Sequence, residues 1–238
     1  MPSPSSTRAI LLCQGEQARL WNLKTPKHLV SFNGRPLLAR TIEMLRARGI
    51  QDIIINADDT EAWTKFAWDQ KLQLVPEFDK KPDQDFLDVL VHFRALWNTS
   101  GPTLWIYGDT VFSNRMMDEL CRGRTNDIFF ATRFSPFPPL GKWRAEIFGW
   151  TMQARYHESL DSFLRVRQCS PYHKATDVWS LFHYLMDRRD NEERDAAFLD
   201  AGEEDYTFDL DYEGDLADLS LLEMLAQDDD TQTREGRR

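Results

Sequence analysis

Short apolar runs alternate with segments of helical periodicity through the first half of this chain. Residues 10–13 and 52–57 are short, strongly apolar runs of the kind that form buried strands. Between them, Leu38, Ile42 and Leu45 recur at the spacing that places side chains on one face of a helix. Strands that alternate with helices predict an α/β fold with a mainly parallel (mixed) central sheet and helices on both faces, Rossmann-like in organisation.

The chain length of 238 residues fits one compact domain, which we expect over residues 8–226. The two flanking segments differ from it in composition. Residues 1–7 are MPSPSST, and residues 227–238 are QDDDTQTREGRR, a stretch without any apolar residue. Because such segments bury too little apolar surface to offset the entropy of ordering them, we expect a disordered N-terminus and a disordered acidic and polar tail.

The composition excludes several classes of partner. The formal net charge is −10, and duplex nucleic acid is a polyanion that proteins bind mainly through Lys and Arg. No apolar run approaches the roughly 20 residues that span a bilayer, and the N-terminus lacks the layout of a secretory signal. Three widely spaced cysteines argue against a disulfide framework or a zinc knuckle. These features favour a cytoplasmic protein without membrane contact and leave its oligomeric state open.

The loop after the first strand has the composition of a phosphate-binding loop. Gly15 can adopt positive φ and leaves room for close approach of an anion to the backbone, and Arg19 and Lys27 supply positive charge. The loop contains neither the G-x-x-x-x-G-K-[ST] pattern nor G-x-G-x-x-G. From these residues alone, an ordinary strand-to-helix loop with solvated charges remains the more common explanation.

A longer pattern in the same region resembles a known family. The chain follows the order L-x-A-G-x-G-x-R-L, a spacer, and P-K-x-L-x-x-x-x-G-x-P-L-L. The matching residues are Leu12, Gly15, Arg19, Leu20, Pro26, Lys27, Leu29, Gly34, Pro36, Leu37 and Leu38. This signature is similar to that of the nucleotidyltransferases with a GT-A-type fold, the enzymes that make nucleotide-activated sugars and alcohols.

The resemblance implies roles for the loop residues. In the family the glycine loop wraps the nucleotide, the arginine contacts the departing pyrophosphate and the lysine lies near the reacting α-phosphate, which assigns these last two roles to Arg19 and Lys27. A contact with the base is implied at Asp83. The implied nucleotide-binding residues of the loop itself are Leu12, Cys13, Gln14, Gly15, Glu16 and Gln17.

Two glutamines depart from the family pattern. Gln14 replaces a small residue, and Gln17 replaces the second glycine of the loop. A glutamine at positive φ costs about 1 kcal/mol, but its amide could instead donate a hydrogen bond to the ligand. The sequence leaves both alternatives open, together with the choice of nucleotide.

The resemblance also implies a Mg²⁺ site. Asp109 lies in YGDTVFS, similar to the strand-end G-D-x-x-F of the family, and Asp211 lies in FDLDYEGDL, similar to D-x-D-T-P-E-D-L. Magnesium prefers oxygen ligands and takes one or two protein carboxylates together with substrate phosphates. Asp211 is the expected second ligand and Asp209 the alternative, because Tyr212 and Glu213 replace the Thr-Pro of the motif.

The resemblance is faint from residue 110 to 200, and we expect the acceptor side of the domain at roughly residues 126–200. Lys142, Arg144 and Glu146 are candidates to contact a small phosphorylated acceptor, although solvated surface charges are the more common reason for such residues.

The predicted function is therefore magnesium-dependent transfer of a nucleotide from a nucleoside triphosphate to a sugar phosphate or phospho-alcohol, with release of pyrophosphate. One alternative is a GT-A glycosyltransferase that uses a nucleotide sugar. Such enzymes usually carry D-x-D at the strand end, where this chain has the single Asp109. The other alternative is a nucleotide-binding relative that has lost the chemistry.

Overall fold

A computed structural model of the chain describes residues 7–13, 25–76, 87, 90, 93–123, 128–134, 145–166, 178–187, 196–210 and 213–235. Seven strands form a central sheet in the order β10-β8-β9-β6-β1-β4-β5. Their bounds are β1 Arg8–Leu12, β4 Asp52–Ala57, β5 Gln73–Pro76, β6 Thr103–Tyr107, β8 Ile128–Arg133, β9 Glu146–Met152 and β10 Ala196–Asp200.

The sheet is parallel except at one strand. Strand β1 pairs in parallel with β4 and β6, β4 with β5, and β8 with β10. Strand β9 runs antiparallel between β6 and β8. The predicted α/β fold with a mainly parallel sheet is therefore confirmed. The strands β1, β4, β6 and β8 end at one edge of the sheet, where β9 begins, and we call this the carboxyl edge.

Helices follow the strands on both faces of the sheet. Seven α-helices lie within the described residues: α1 Leu37–Ala47, α2 Glu61–Gln70, α3 Asn114–Gly123, α4 His157–Val166, α5 Val178–Asp187, α6 Glu213–Ala217 and α7 Leu219–Glu235. None of them is long and apolar enough to cross a membrane.

Two apolar clusters fill the space between the sheet and these helices. Because side chains alternate along a strand, Ala9 and Leu11 of β1 face the cluster under α1, α2 and α3, whereas Ile10 and Leu12 face the cluster under α4 and α5. A short 3-10 turn, Phe93–Leu96, packs Leu96 against the second of these clusters. Helices on both faces are thus required by the apolar residues of both strand faces.

A third apolar cluster lies beside the sheet, where two small strand pairs meet helix α7. The pairs are β2 Ser31–Phe32 with β3 Arg35–Pro36, and β7 Thr110–Val111 with β11 Phe208–Asp209. The buried members of the cluster are Val30, Phe32, Leu37, Val111, Tyr206, Phe208, Leu210, Leu222 and Ala226. Helix α7 therefore covers segments from both ends of the chain.

The β2–β3 hairpin is fixed by its turn and by α7. Asn33 and Gly34 have φ of 51° and 75°, the left-handed conformations that a two-residue hairpin turn needs. The backbone N–H of Asn33 donates to Glu223 at 2.7 Å, and the amide of Gln227 donates to Asn33 at 2.7 Å.

Helix α7 also differs from the expectation of a disordered tail over residues 227–238. The helix continues to Glu235, and Asp229 and Asp230 accept hydrogen bonds from residues near the sheet. The physical reason is that ion pairs and hydrogen bonds hold this segment against the rest of the domain. The expectation of disorder rested only on the absence of apolar residues from the segment.

Deleting residues 227–238 should therefore destabilise the protein. Arg40, whose side chain is 2% exposed, would lose the carboxylate of Asp230, and a buried charge that loses its partner costs about 3 kcal/mol or more. Urea unfolding of the shortened chain measures the loss. A chain that ends at residue 235 is the control and should match the full chain; equal stability of all three proteins would contradict a structural role for the end of α7.

Candidate active site

Lys27 lies in a short 3-10 turn that reaches the carboxyl edge. The turn, Lys27–Leu29, follows Pro26, whose carbonyl oxygen accepts a hydrogen bond from the N–H of Leu29 at 2.8 Å. The turn buries Lys27, which is 8% exposed, and its ammonium group forms an ion pair with the carboxylate of Asp109. The structure thus brings Lys27 into contact with Asp109, although the two residues belong to separate sequence motifs.

Asp109 occupies the turn between β6 and β7 and is 6% exposed. Burial alone would raise the pKa of its carboxyl group. The positive charge of Lys27 opposes burial and, with contributions from His28 and from hydrogen bonds to Lys27 and Asp209, holds the pKa of Asp109 below its usual value. The carboxylate is therefore ionised at neutral pH despite its burial.

Asp209 is the second carboxylate at this position. The antiparallel pairing of β11 with β7 places Asp209 opposite Thr110, and the N–H of Leu210 donates to the carbonyl oxygen of Asp109 at 3.2 Å. The side chains of Asp109 and Asp209 are within hydrogen-bonding reach of each other. The alternation in the sequence F-D-L-D could have indicated this, because an apolar–polar alternation is typical of a half-buried strand.

His28 is a feature of the site that the sequence analysis did not single out. Its ring is 2% exposed, packs against Trp63 with ring centroids 5.5 Å apart, and has no hydrogen-bond partner for either nitrogen among the described residues. Burial lowers the pKa of His28 to about 4. The ring is therefore neutral at physiological pH, and the positive charge beside Asp109 comes from Lys27. The only sequence feature that could have indicated a role for His28 is its position within the P-K-x-L motif.

Gly108 allows the ends of β1 and β6 to approach closely. A Cβ atom at this position would lie 2.4 Å from the Sγ of Cys13 and 3.2 Å from the ring of His28. The strand pairing continues here, because the N–H of Gly108 donates to the carbonyl oxygen of Leu12 at 2.9 Å. Only glycine fits beside the thiol without displacing it.

The side chains of Leu12 and Cys13, two of the predicted nucleotide-binding residues, are both buried in the core. The N–H of Cys13 donates to Asn56 in the sheet at 2.8 Å. Burial, reinforced by the charge of Asp109, raises the pKa of the Cys13 thiol well above its usual range, so the thiol remains protonated. A role for these two residues in nucleotide binding stays a prediction.

Glu146 begins strand β9 at the carboxyl edge and is 8% exposed, which excludes a solvated surface charge at this position. It lies opposite Arg133 in the strand register. Burial lowers the pKa of Arg133, while the charges of Glu146, Asp205 and Asp200 oppose that shift. An acceptor contact at Glu146 stays a prediction, and its place at the carboxyl edge is compatible with it.

Arg133 also organises the segment that leads to Asp209. Its guanidinium donates to the carbonyl oxygens of Gly202, Asp205 and Thr207 at 2.6 to 2.9 Å. The segment before β11 is therefore fixed by a buried arginine that the sequence analysis missed.

The other predicted site residues lie outside the described residues, so their positions stay predictions. They are Gln14, Gly15, Glu16, Gln17, Arg19, Asp83, Lys142, Arg144 and Asp211.

Asp109 and Asp209 form a donor set that fits Mg²⁺. Both are oxygen donors, and the Oδ1 atom of Asp109 is buried without a hydrogen-bond partner among the described residues. The described part of the chain holds no group of three or more His, Cys, Asp or Glu side chains that could bind a metal ion. Magnesium in phosphoryl-transfer sites requires fewer protein ligands, because substrate phosphates and water complete its coordination.

The sequence matches a family model over residues 9–174, described as the MobA-like NTP transferase domain. The chain belongs to this family. The matched range includes Lys27, Asp109 and Glu146, so most of the geometry described above lies within the family domain of this transferase. The predicted enzyme class, a nucleotidyltransferase, is confirmed. No curated protein matches the transferase in sequence.

Solved structures share the fold of the transferase along almost the whole chain. The inositol-1-phosphate CTP transferase from T. maritima matches with a TM-score of 0.64 at 15% identity, over 92% of this chain and 95% of the other. The CTP:phosphocholine cytidylyltransferase from Streptococcus pneumoniae matches with a TM-score of 0.62 at 22% identity, over 92% and 99%. At these identities the similarity shows the fold, including its single-domain organisation.

The buried His28 should make the stability of this transferase depend on pH. The unfolded chain binds a proton at His28 below about pH 6.5, whereas the folded chain does so only below about pH 4. Stability should therefore fall as the pH is lowered from about 7 to 4, by about 3 kcal/mol from this residue alone. His157, whose pKa burial also lowers to about 4, adds to the same trend.

Urea unfolding between pH 4.5 and 7.5 measures this dependence. His28→Phe keeps a ring against Trp63 and should flatten the pH dependence, leaving the part due to His157. His183→Gln, at an exposed position on α5, is the control substitution. A His28→Phe protein with the full pH dependence would show that His28 accepts a proton in the folded state.

Proposed function

We propose that this transferase joins a nucleoside triphosphate to a sugar phosphate or a phospho-alcohol in a Mg²⁺-dependent reaction that releases pyrophosphate. The observation that carries the proposal is the buried ion pair of Lys27 and Asp109, with Asp209 beside it, at the carboxyl edge of the sheet. Ligands of open α/β sheets bind beyond this edge. The expected cytoplasmic location stays a prediction.

The reaction needs charge stabilisation more than a protein nucleophile. An oxygen of the acceptor phosphate attacks the α-phosphorus in line, the bond to the bridging oxygen of the β-phosphate breaks, and pyrophosphate leaves with its electron pair. Lys27 stabilises the charge that develops on the α-phosphate, and Arg19 would contact the leaving group. Asp109 and Asp209 would hold Mg²⁺, which would supply electrophilic stabilisation of the same charge.

The class of acceptor is supported by the structural neighbours. The two transferases named above act, by their names, on inositol 1-phosphate and on phosphocholine. A third neighbour, a Bacillus anthracis protein assigned as a glucose-1-phosphate thymidylyltransferase, matches with a TM-score of 0.65 at 12% identity, over 94% of this chain and 96% of the other. All three names describe a small phosphorylated acceptor, and Glu146, with Lys142 and Arg144, remains the proposed region of contact.

Lys27→Met should lower kcat by about 100- to 1,000-fold, the usual cost of removing a charge partner of the transition state. Pyrophosphate release, measured with each of the four common triphosphates and a pool of sugar phosphates and phospho-alcohols, identifies the substrates and then gives the rate. Lys65→Met, at an exposed position on α2, is the control and should keep the full rate. An undiminished kcat for Lys27→Met would remove the lysine from the mechanism.

The contact between Asp109 and Asp209 supports Asp209 as the second metal ligand, whereas the sequence motif favours Asp211. We expect Asp109→Asn and Asp209→Asn to abolish the Mg²⁺-dependent rate, and Asp211→Asn to retain more of it. Asp118→Asn, a half-exposed position on α3, serves as the control. The reverse order, with Asp211→Asn inactive and Asp209→Asn active, would support the motif-based assignment instead.

The ion pair also predicts how metal binding depends on nucleotide. Lys27 neutralises Asp109 in the free protein, so a cation must compete with the ammonium group for the same carboxylate. Binding of a triphosphate gives Lys27 a second anionic partner and releases Asp109. Lys27→Met should therefore bind Mn²⁺ more tightly than the wild type in the absence of nucleotide, by about tenfold, the equivalent of about 1.4 kcal/mol.

Electron paramagnetic resonance of free Mn²⁺ measures this affinity. The Lys65→Met protein should bind like the wild type. Weaker Mn²⁺ binding in Lys27→Met would mean that the lysine holds the carboxylate in a metal-binding position and does not compete with the metal.

A further inference from the structure

A cluster of polar side chains joins the end of helix α7 to residues near the site. Its members are Arg40, Asn114, Tyr206, Asp229 and Asp230, and we call it the C-terminal clamp. Asp229 accepts hydrogen bonds from the backbone N–H of Asn114 and the phenol of Tyr206, both at 2.7 Å. Asp230 accepts from the amide of Asn114 at 2.9 Å and from Arg40 at 3.2 Å.

Arg40 connects the clamp to the segment that carries Asp109. Its guanidinium is almost fully buried and donates to the carbonyl oxygen of Phe112 at 2.5 Å and to Tyr206 at 3.2 Å. A buried guanidinium needs an anionic partner, and Asp230 provides it. Phe112 directly follows strand β7, three residues after Asp109. The end of this segment is therefore held by the guanidinium of Arg40, whose charge is balanced by Asp230 of α7.

Tyr206 connects the clamp to the segment that carries Asp209. It lies three residues before Asp209, and burial raises the pKa of its phenol above the usual value, so the hydroxyl group stays protonated and donates to Asp229. The same phenol accepts from Arg40. The two segments therefore share one set of hydrogen-bonding partners on α7.

The strand pair between these segments is too short to fix them without support. Strands β7 and β11 are two residues long, and their register consists of two residue pairs, Phe208 with Val111 and Asp209 with Thr110. A ladder of this length is marginal unless other contacts hold it. Arg133 supplies such contacts on the β11 side, and the clamp adds contacts at Phe112 and Tyr206 that connect both segments to α7.

We propose that Asp229 and Asp230 are positioning residues that hold strands β7 and β11 together, and thereby keep the carboxylates of Asp109 and Asp209 side by side. The consequence for metal binding rests on the proposed function, whereas the effect on the two strands does not. Helix α7 is then a structural part of the site, although its acids lie outside the family signature.

The experiment compares two clamp variants with a matched control. Asp230→Asn removes the charge that faces Arg40, and Tyr206→Phe removes the hydroxyl group shared by Arg40 and Asp229. Asp228→Asn changes the neighbouring acid of the same run, whose side chain is exposed. Tyr206→Phe leaves the sequence of α7 intact, so it answers the question even where Asp230→Asn fails to fold.

Hydrogen exchange measured by mass spectrometry is the first readout. In each clamp variant that folds, peptides covering residues 108–113 and 205–210 should exchange about tenfold faster than in Asp228→Asn, as expected for local opening, while peptides from α2 and β4 keep their rates. The proposal is overturned by unchanged exchange in the two segments, or by an equal increase along the whole chain.

Affinity for Mn²⁺ in the presence of a triphosphate is the second readout. The dissociation constant should rise about tenfold in the clamp variants, as for partners that orient metal ligands, and the KM for Mg²⁺ should rise with it. The KM for the acceptor should not change. An unchanged Mn²⁺ affinity in variants with faster exchange would mean that the clamp stabilises the two strands but does not position the metal ligands, which would overturn its positioning role. A wild-type protein without any Mn²⁺ binding would overturn the proposed function, while the exchange data would still decide whether the clamp holds the two strands.

Discussion

The buried ion pair of Lys27 and Asp109 is the interaction on which the arrangement of the site depends. Neither charge would be stable at this depth alone, because a buried ion without a partner costs several kcal/mol. The pair brings together a turn near the N-terminus and the end of a central strand, and it keeps a carboxylate ionised inside the protein. The side chain of Asp209 lies within hydrogen-bonding reach of the same carboxylate.

The space around this pair is created by small residues and neutral groups. Gly108 lets the end of β6 approach Cys13 and the ring of His28. The neutral imidazole of His28 fills the volume beside the lysine without adding a competing positive charge. Among the described residues, the ion pair of Lys27 and Asp109 thus has Asp209 beside it, an arrangement that a triphosphate and a divalent cation can complement.

The fold could be predicted from the sequence because it depends on local patterns. The apolar runs of β1, β4 and β6 and the helical spacing of α1 alternate along the chain, and that alternation specifies a parallel sheet. The antiparallel direction of β9 could not be predicted, because the neighbours that a strand pairs with are determined by contacts distant in sequence.

The site was only partly predictable. Lys27 and Asp109 stand in motifs, but their contact forms only in the tertiary structure. The pairing of β11 with β7, which places Asp209 near Asp109, is likewise not visible in the motif, and the role of Asp211 stays a prediction. The roles of Arg40, Arg133 and Asp230 were missed for a related reason. Arg40 and Arg133 are buried and Asp230 is partly buried, whereas composition alone assigns such charged residues to the surface.

The order in which the chain is synthesised gives the position of α7 a further meaning. Arg40 and Asp230 are 190 residues apart, as are Asn33 and Glu223. Most of the sheet can form on a ribosome while the surface of the third apolar cluster, at Phe32, Leu37 and Val111, is still uncovered. That surface closes only when α7 emerges, so a chain that stops before α7 would expose it to chaperones and proteases. Burial of this apolar surface therefore waits for the synthesis of α7.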